Sequence, residues 1–289
     1  MVVKVKDFAS PVKPTWCPGC GDYGIHAALK QALVMAELAP HEVLVVGGIG
    51  CGSKLPDYTQ ANGFMTLHGR PVPIATGARL ANHGLKVITV HGDGDGMGLG
   101  MGHFIHTARR NVELVDLLQN NQIYGLTKGQ YSPTSDAGFV TSTSPDGAFE
   151  SAANPVALAL TAGGTFIARG FAGDVKGLAE LIAQALLHKG YALVDILQPC
   201  VTFNRKNTYD WYRERVYNLS DTDHDPSDRV AAFQKALEWG DRIPLGVFYR
   251  TRLPTYEEQV AGLKDGPVAT RELKRLTNVE IERLRAEFV

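Results

Sequence analysis

The chain of 289 residues lacks the features that mark membrane, secreted or nucleic-acid-binding proteins. No run approaches the ~20 consecutive apolar residues that a membrane span needs. The opening MVVKVKDFASPVKP has no long apolar core, which argues against a secretory signal and leads us to expect a cytoplasmic protein. There is no basic stripe and the formal net charge is -1, so nucleic acid is not expected as a partner. A GxxxxGK[ST] loop is absent. So is a GxGxxG fingerprint: counting from Gly92 the sixth position is Met97, and from Gly94 it is Leu99. Internal repeats and low-complexity tracts are missing too. Cysteine is scarce, with Cys17, Cys20, Cys51 and Cys200 only. In a reducing compartment these are poor candidates for structural disulfides. At 44% hydrophobic and 20% charged residues, the chain has the composition of a globular protein with a sizeable core.

Four short apolar runs read as buried strands. EVLVVGGIGCG supplies one, Glu42 to Val46, running into a glycine turn. LKVITVHGDGDG, VELVDLLQNNQIYG and YALVDILQPC supply the others. HFIHTARRN and GLAELIAQALLHKG have helical spacing between them. This alternation predicts an α/β fold, a mostly parallel sheet flanked by helices. Ligands of such sheets bind at the carboxyl ends of the strands, and each of these strands ends in something polar or sulfur-bearing. After Cys200 the chain becomes charged and turn-rich. Residues 1–207 are therefore expected to form the ligand-binding domain, and 208–289 a C-terminal extension packing on that domain or on a partner.

A glycine-rich loop after a strand usually holds phosphate, yet Gly92-Asp93-Gly94-Asp95 carries two carboxylates of the wrong sign. A divalent cation between carboxylate and phosphate resolves the conflict, because Mg²⁺ takes about six oxygen ligands. Asp93 offers a carboxylate, Asn121 an amide oxygen and Ile123 a carbonyl, with diphosphate oxygens completing the shell. The helix after Gly94 presents free N–H groups to the same phosphates. The alternative is a glycine turn whose aspartates are solvated helix caps. A GDG followed about twenty-five residues later by NN resembles the thiamine diphosphate-binding motif.

The cysteines lie in WCPGCG, in GGIGCG and in QPC. Two of them form a CxxC turn, and the other two end strands at the same rim, which suggests one Cys₄ site. Zn²⁺ and a [4Fe–4S] cluster both suit such a site, and spacing does not choose between them.

Taken in order, WCPGCGDYG, GIGC, LHGRPVPIATGARLAN, HGDGDG, HFIHTARRN, NNQIYGLTKGQYSPT and QPCVTFN closely resemble the β subunit of 2-oxoacid:ferredoxin oxidoreductases, over roughly Trp16 to Asn207. The resemblance implies thiamine- and coenzyme A-dependent oxidative decarboxylation of a 2-oxoacid, with electrons passed through a [4Fe–4S] cluster to ferredoxin, reversible as a reductive carboxylation. It implies that Cys17, Cys20, Cys51 and Cys200 ligate the cluster, and that Asp93, Asn121 and the Ile123 carbonyl hold Mg²⁺. Ile49, Gly50, Cys51, Gly52, Gly92, Gly94, Asp95, Gly125 and Leu126 would border thiamine diphosphate. His68 would sit at the cofactor as a phosphate donor or proton shuttle. No glutamate here suits the aminopyrimidine ring, Glu37, Glu42 and Glu113 being in poor contexts. A larger α subunit is the implied partner, in an α₂β₂ assembly. Lys54, three residues after Cys51, is expected to read the distal carboxylate of 2-oxoglutarate, favouring it over pyruvate; its alternatives are solvent or a pair with Asp57. His103 and His106 read as packing or hydrogen-bonding residues, for want of a third ligand. The competing functions are a pyruvate-type β subunit, a non-redox thiamine-dependent decarboxylase or ligase subunit, and a Cys₄ zinc scaffold.

Overall fold

A computed structural model describes residues 2–272 and 275–288. Helix α1 (Gly21–Met35) begins directly after the CxxC turn, and its Ile25, Ala28, Leu29, Ala32 and Leu33 form one buried stripe. There follow β1 (Val43–Gly47), β2 (Asn62–Met65), α2 (Pro71–Ala81), β3 (Lys86–Gly92), α3 (Met101–Arg110) and β4 (Val115–Asn120). Then come α4 (Pro155–Ala162), β5 (Phe166–Phe171), α5 (Val175–Leu187) and β6 (Ala192–Leu197). The last large elements are β7 (Val216–Asn218), α6 (Arg229–Ala236) and β8 (Ile243–Arg250). The strands make one eight-stranded sheet in the order β2-β1-β3-β4-β6-β5-β8-β7. Every pair is parallel except β5 with β8. The α/β expectation holds, with α1 and α5 covering one face and α2, α3, α4 and α6 contributing to the core on the other.

Several details differ from the expectation. Strand β1 starts at Val43 because Pro40–Glu42 form a tight turn in which Glu42 Oε2 accepts the Ala39 N–H at 2.7 Å. Strands β2, β5, β7 and β8 lie outside the four apolar runs. The segment beyond Asn207, expected as an extension, adds β7 and β8 to the same sheet. Its Leu219, Ala232, Ala236 and Phe248 enter the core behind β3 and β4. The aromatic run near Tyr209 forms a small buried cluster of its own, with Tyr212 wholly enclosed beside Phe171 and Leu197.

A buried ionic knot pins the tail further. Arg79 Nε lies 2.9 Å from Glu257 Oε1, and its Nη2 lies 2.8 Å from Glu113 Oε2. Lys86 Nζ reaches Glu113 Oε1 at 2.9 Å. Glu257 also accepts the Glu113 backbone N–H at 3.1 Å. Removing the guanidinium leaves buried Glu257 without its cation while Glu113 keeps Lys86, so Arg79→Met should cost about 3–5 kcal/mol of stability. Urea unfolding checks this; a cost under about 1 kcal/mol would show that the knot contributes no more than an exposed pair.

Candidate active site

Strands β1, β3, β4 and β6 are consecutive in the sheet and parallel, so their carboxyl ends share one rim. The loops that follow them are GGIGCG, GDGDG, NNQIYG and QPC. A cavity of about 410 Å³ opens there. Its lining includes Ile49, Gly50, Cys51, Gly52, His68, Gly92, Asp93, Gly94, Asp95, Asn121, Ile123, Gly125 and Leu126. The structure thus gathers every residue that the sequence assigns to thiamine diphosphate or Mg²⁺. Gln119, Tyr124, Thr127 and Gln130 line it too. Three of these sit inside NNQIYGLTKGQ, and their spacing across that turn was the available signal.

The two aspartates do different things. Asp93 is buried, with Oδ2 accepting from the Ser132 and Thr134 hydroxyls and Oδ1 3.4 Å from the Asn121 N–H. Burial raises its pKa, and these donors only partly offset that. Neutral donors are all it has here, so the site fits a hard cation. Ser132 and Thr134, which the sequence did not single out, come from the far side of the short ribbon Ile123–Tyr124/Gln130–Tyr131. Asp95 is a bracket between loops. It accepts the Ile49 N–H at 3.3 Å and the Gly69 N–H at 2.6 Å, and lies 2.7 Å from His68 Nδ1. A Cβ on Gly48 would stand 1.7 Å from Asp95 Oδ2, so only glycine admits this approach. Residues Gly94–Leu99 form a wide π-type turn, a form common at functional sites.

Beneath the GDG loop, buried Asp116 accepts from His91 Nε2 at 2.5 Å, Tyr191 OH at 2.7 Å and Thr89 Oγ1 at 2.7 Å. Burial disfavours charge on His91, but Asp116 outweighs it and the imidazole's pKa is raised.

The four cysteines are free thiols around a second part of the rim. The Cys20 N–H donates to the Cys17 carbonyl at 3.0 Å, closing the CxxC turn. A Cβ on Gly125 would lie 3.6 Å from Cys200 Sγ and 3.9 Å from Cys51 Sγ. Trp16 Nε1 donates to the Cys51 carbonyl at 2.7 Å, tying the CxxC segment to the GIGCG loop. Burial pushes the Cys51 thiol up to about 11, with Asp22 and Cys200 adding to it, and raises Cys20 further. A metal cation would supply the charge that compensates for deprotonating these two thiols. Among the described residues no three His, Cys, Asp or Glu side chains are grouped to hold a single metal ion. Asp22 is a further buried neighbour: its Oδ2 receives Cys20 Sγ at 3.3 Å, and burial lifts its pKa to about 7.

Lys54 does not reach the cavity. Its Nζ donates to Thr15 Oγ1 at 3.2 Å, on the cysteine side of the GIGCG loop, and it makes no pair with Asp57. His103 Nε2 lies 3.0 Å from Arg70 Nη1, a hydrogen-bonding use, away from the lining. Of the glutamates, Glu113 is held in the ionic knot, and neither Glu37 nor Glu42 lines the cavity.

Residues 22–196 match the family described as thiamine pyrophosphate enzyme, C-terminal TPP binding domain. Residues 200–265 match the family described as the C-terminal part of the pyruvate ferredoxin oxidoreductase beta chain. The chain is 47% identical over 262 residues to a 2-oxoacid:ferredoxin oxidoreductase subunit beta of Saccharolobus solfataricus, covering 85% of each. The chain belongs to the 2-oxoacid:ferredoxin oxidoreductase β-subunit family. Another such β subunit, from Aeropyrum pernix, is 45% identical, with 89% of this chain and 84% of that one covered. The 2-oxoglutarate oxidoreductase subunit KorB of Mycobacterium tuberculosis is 48% identical over 70% of this chain and 54% of its own length. A solved 2-oxoglutarate:ferredoxin oxidoreductase from Magnetococcus marinus, with 2-oxoglutarate, coenzyme A and succinyl-CoA bound, superposes with a TM-score of 0.88 at 42% identity, covering 91% of this chain and 90% of that one. As a β subunit of this family, the chain is one part of a multi-subunit oxidoreductase and carries its thiamine diphosphate-binding domain. The first family match ends within β6, at residue 196, and the second begins at Cys200.

Proposed function

We propose that this β subunit holds thiamine diphosphate, Mg²⁺ and one [4Fe–4S] cluster, and that the assembled enzyme converts 2-oxoglutarate and coenzyme A to succinyl-CoA and carbon dioxide. Two electrons and one proton leave per turnover, the electrons singly to ferredoxin, and the reverse reaction carboxylates succinyl-CoA. The observation that carries this reading is the GIGCG loop, which lines the cavity while presenting Cys51 to the other thiols. When bound, thiamine diphosphate supplies the carbon nucleophile and electron sink, and the cluster takes up electrons one at a time.

The chain's own residues then have definite tasks. Asp93, Asn121 Oδ1 and the Ile123 carbonyl hold Mg²⁺ against the diphosphate. Gly92 and Gly94 allow the close approach, and Ile49, Gly50, Gly52, Gly125 and Leu126 border the cofactor. Asp95 takes His68 Nδ1, which leaves Nε2 to face a phosphate oxygen or move a proton. Cys17, Cys20, Cys51 and Cys200 ligate the cluster. Among the described residues no glutamate lines the cavity, and its lining includes the exposed apolar side chains of Ile49 (41%) and Leu126 (48%). Such an apolar rim suits a covering chain, the α subunit of an α₂β₂ assembly, which would bring the missing glutamate. No helix among the described residues is long and apolar enough to cross a membrane. A cytoplasmic setting fits the cluster chemistry.

The 2-oxoglutarate preference rests on the KorB relative and the Magnetococcus marinus enzyme. The pyruvate-family match over 200–265 favours pyruvate as the second reading. The protein assembled with its α subunit should reduce methyl viologen, dependent on coenzyme A, faster with 2-oxoglutarate than with pyruvate. The opposite order would select the second reading. With Lys54 outside the cavity, Lys54→Met should leave the ratio of the two kcat/KM values within about twofold, the range of a surface change. A tenfold fall for 2-oxoglutarate alone would return Lys54 to the substrate.

A further inference from the structure

We propose that Gln198 is a positioning residue that joins the metal–diphosphate half of the site to the cluster half through a single side chain. The proposal rests on the functional reading above. Gln198 is the first residue beyond β6 and is 2% exposed. Its Oε1 accepts from Asn121 Nδ2 at 2.7 Å, and its Nε2 donates to Cys20 Sγ at 3.3 Å. Both ends of one amide are therefore spent on two residues from the two proposed ligand sets.

The first contact sets which end of Asn121 faces the cavity. Only the oxygen of an amide binds a hard cation. Gln198 Oε1 can accept but not donate, so it claims the Nδ2 end and directs Oδ1 the other way, where it accepts the Ile123 N–H at 3.1 Å. Without that acceptor the Asn121 amide keeps only the Ile123 N–H to distinguish its two orientations, and Nδ2 is left without its partner. The second contact places an N–H on a sulfur, and hydrogen bonds to cluster sulfurs are a determinant of reduction potential. Backbone bonds fix the stem that connects them. The Gln198 N–H donates to the Asn120 carbonyl at 2.9 Å, and the next carbonyl, of Pro199, accepts the Gly21 N–H at 3.1 Å. A Cβ on Gly21 would stand 2.7 Å from Gln198 Cγ. The residue after Cys20 is thus glycine where Gln198 passes.

Two consequences follow for the assembled holoenzyme. Gln198→Met keeps the length and burial but removes both hydrogen bonds. The cluster midpoint potential should fall, because a donor to sulfur is lost, and the Mg²⁺ concentration for half-maximal thiamine diphosphate binding should rise about tenfold or more, as for other residues that orient metal ligands. In the wild type, binding Mg²⁺–thiamine diphosphate should also shift the cluster potential, since linkage between sites is reciprocal. In Gln198→Met that shift should vanish. Potentiometric EPR titration with and without the cofactor reads both effects, and neither depends on turnover. Gly21→Ala, which displaces the same side chain without changing it, should reproduce the lowered potential. An unchanged potential in Gln198→Met, or a cofactor-induced shift that survives it, would overturn the proposal. A wild type with no iron–sulfur signal would instead overturn the functional reading, and this inference with it.

Discussion

Asp93→Asn should make the cofactor-free protein more heat-stable and the cofactor useless to it. Burial raises the folded-state pKa of Asp93 above the ordinary 3.8. The stability that a raised carboxyl contributes is present below its unfolded value and is lost as pH rises through the folded one. Burial therefore penalises the charged form of Asp93 in the empty wild-type site, and the neutral amide is free of that penalty. Binding reverses the order. Mg²⁺–thiamine diphosphate at a hundred times its dissociation constant stabilises the wild type by about 2.7 kcal/mol. For a chain of this size that is roughly 5–10 °C in Tm. The variant should show almost no such rise, because affinity falls by at least about a hundredfold once the carboxylate that meets the cation is gone. Iron content should be untouched. Differential scanning fluorimetry with and without cofactor reads both signs; a normal cofactor-induced rise in Asp93→Asn would remove Asp93 from the metal site.

Cys200→Ser should give the reciprocal pattern. Cys200 is remote in sequence from the CxxC turn, yet its Sγ and that of Cys51 flank Gly125 together. Serine oxygen is a harder and more basic donor than thiolate, and iron–sulfur clusters are held by thiolates. Most iron and labile sulfide should be lost, and ferredoxin-linked activity should fall at least about a hundredfold with the electron path cut. Thiamine diphosphate should remain, since the cavity that Asp93 and Asn121 border does not include Cys200. A full four-iron EPR signal in Cys200→Ser would mean that another group completes the ligand set.

How much of this was legible in the sequence follows from where the signal lies. The rim was readable because β1, β3, β4 and β6 are clean β-rich apolar runs, each ending in residues with distinctive chemistry. The hidden strands each break that pattern. β2 is exposed along its whole length. β5 carries Arg169, a charge that reads as surface until its Nε is found 2.8 Å from buried Asp195. β8 contains Pro244 and Gly246, both signals against a strand interior, tolerated beside a register shift near the sheet edge. Within the site, residue types were readable and directions were not. Lys54 stands close to Cys51 in sequence, but the short turn Gly52–Lys54 sends its ammonium to Thr15. Ser132, Thr134 and Gln198 are ordinary polar residues whose roles exist only once the ribbon folds back and β6 aligns with β4.

The decisive measurement is a count of iron, acid-labile sulfide, zinc, magnesium and thiamine on anaerobically purified protein, taken with its EPR spectrum after reduction. A brown protein with four irons and four sulfides per chain, one thiamine diphosphate and a [4Fe–4S]⁺ signal is the expected result. A colourless protein with one zinc per chain and no iron would contradict it, making the four cysteines a closed structural site and leaving the cavity with no electron carrier beside it.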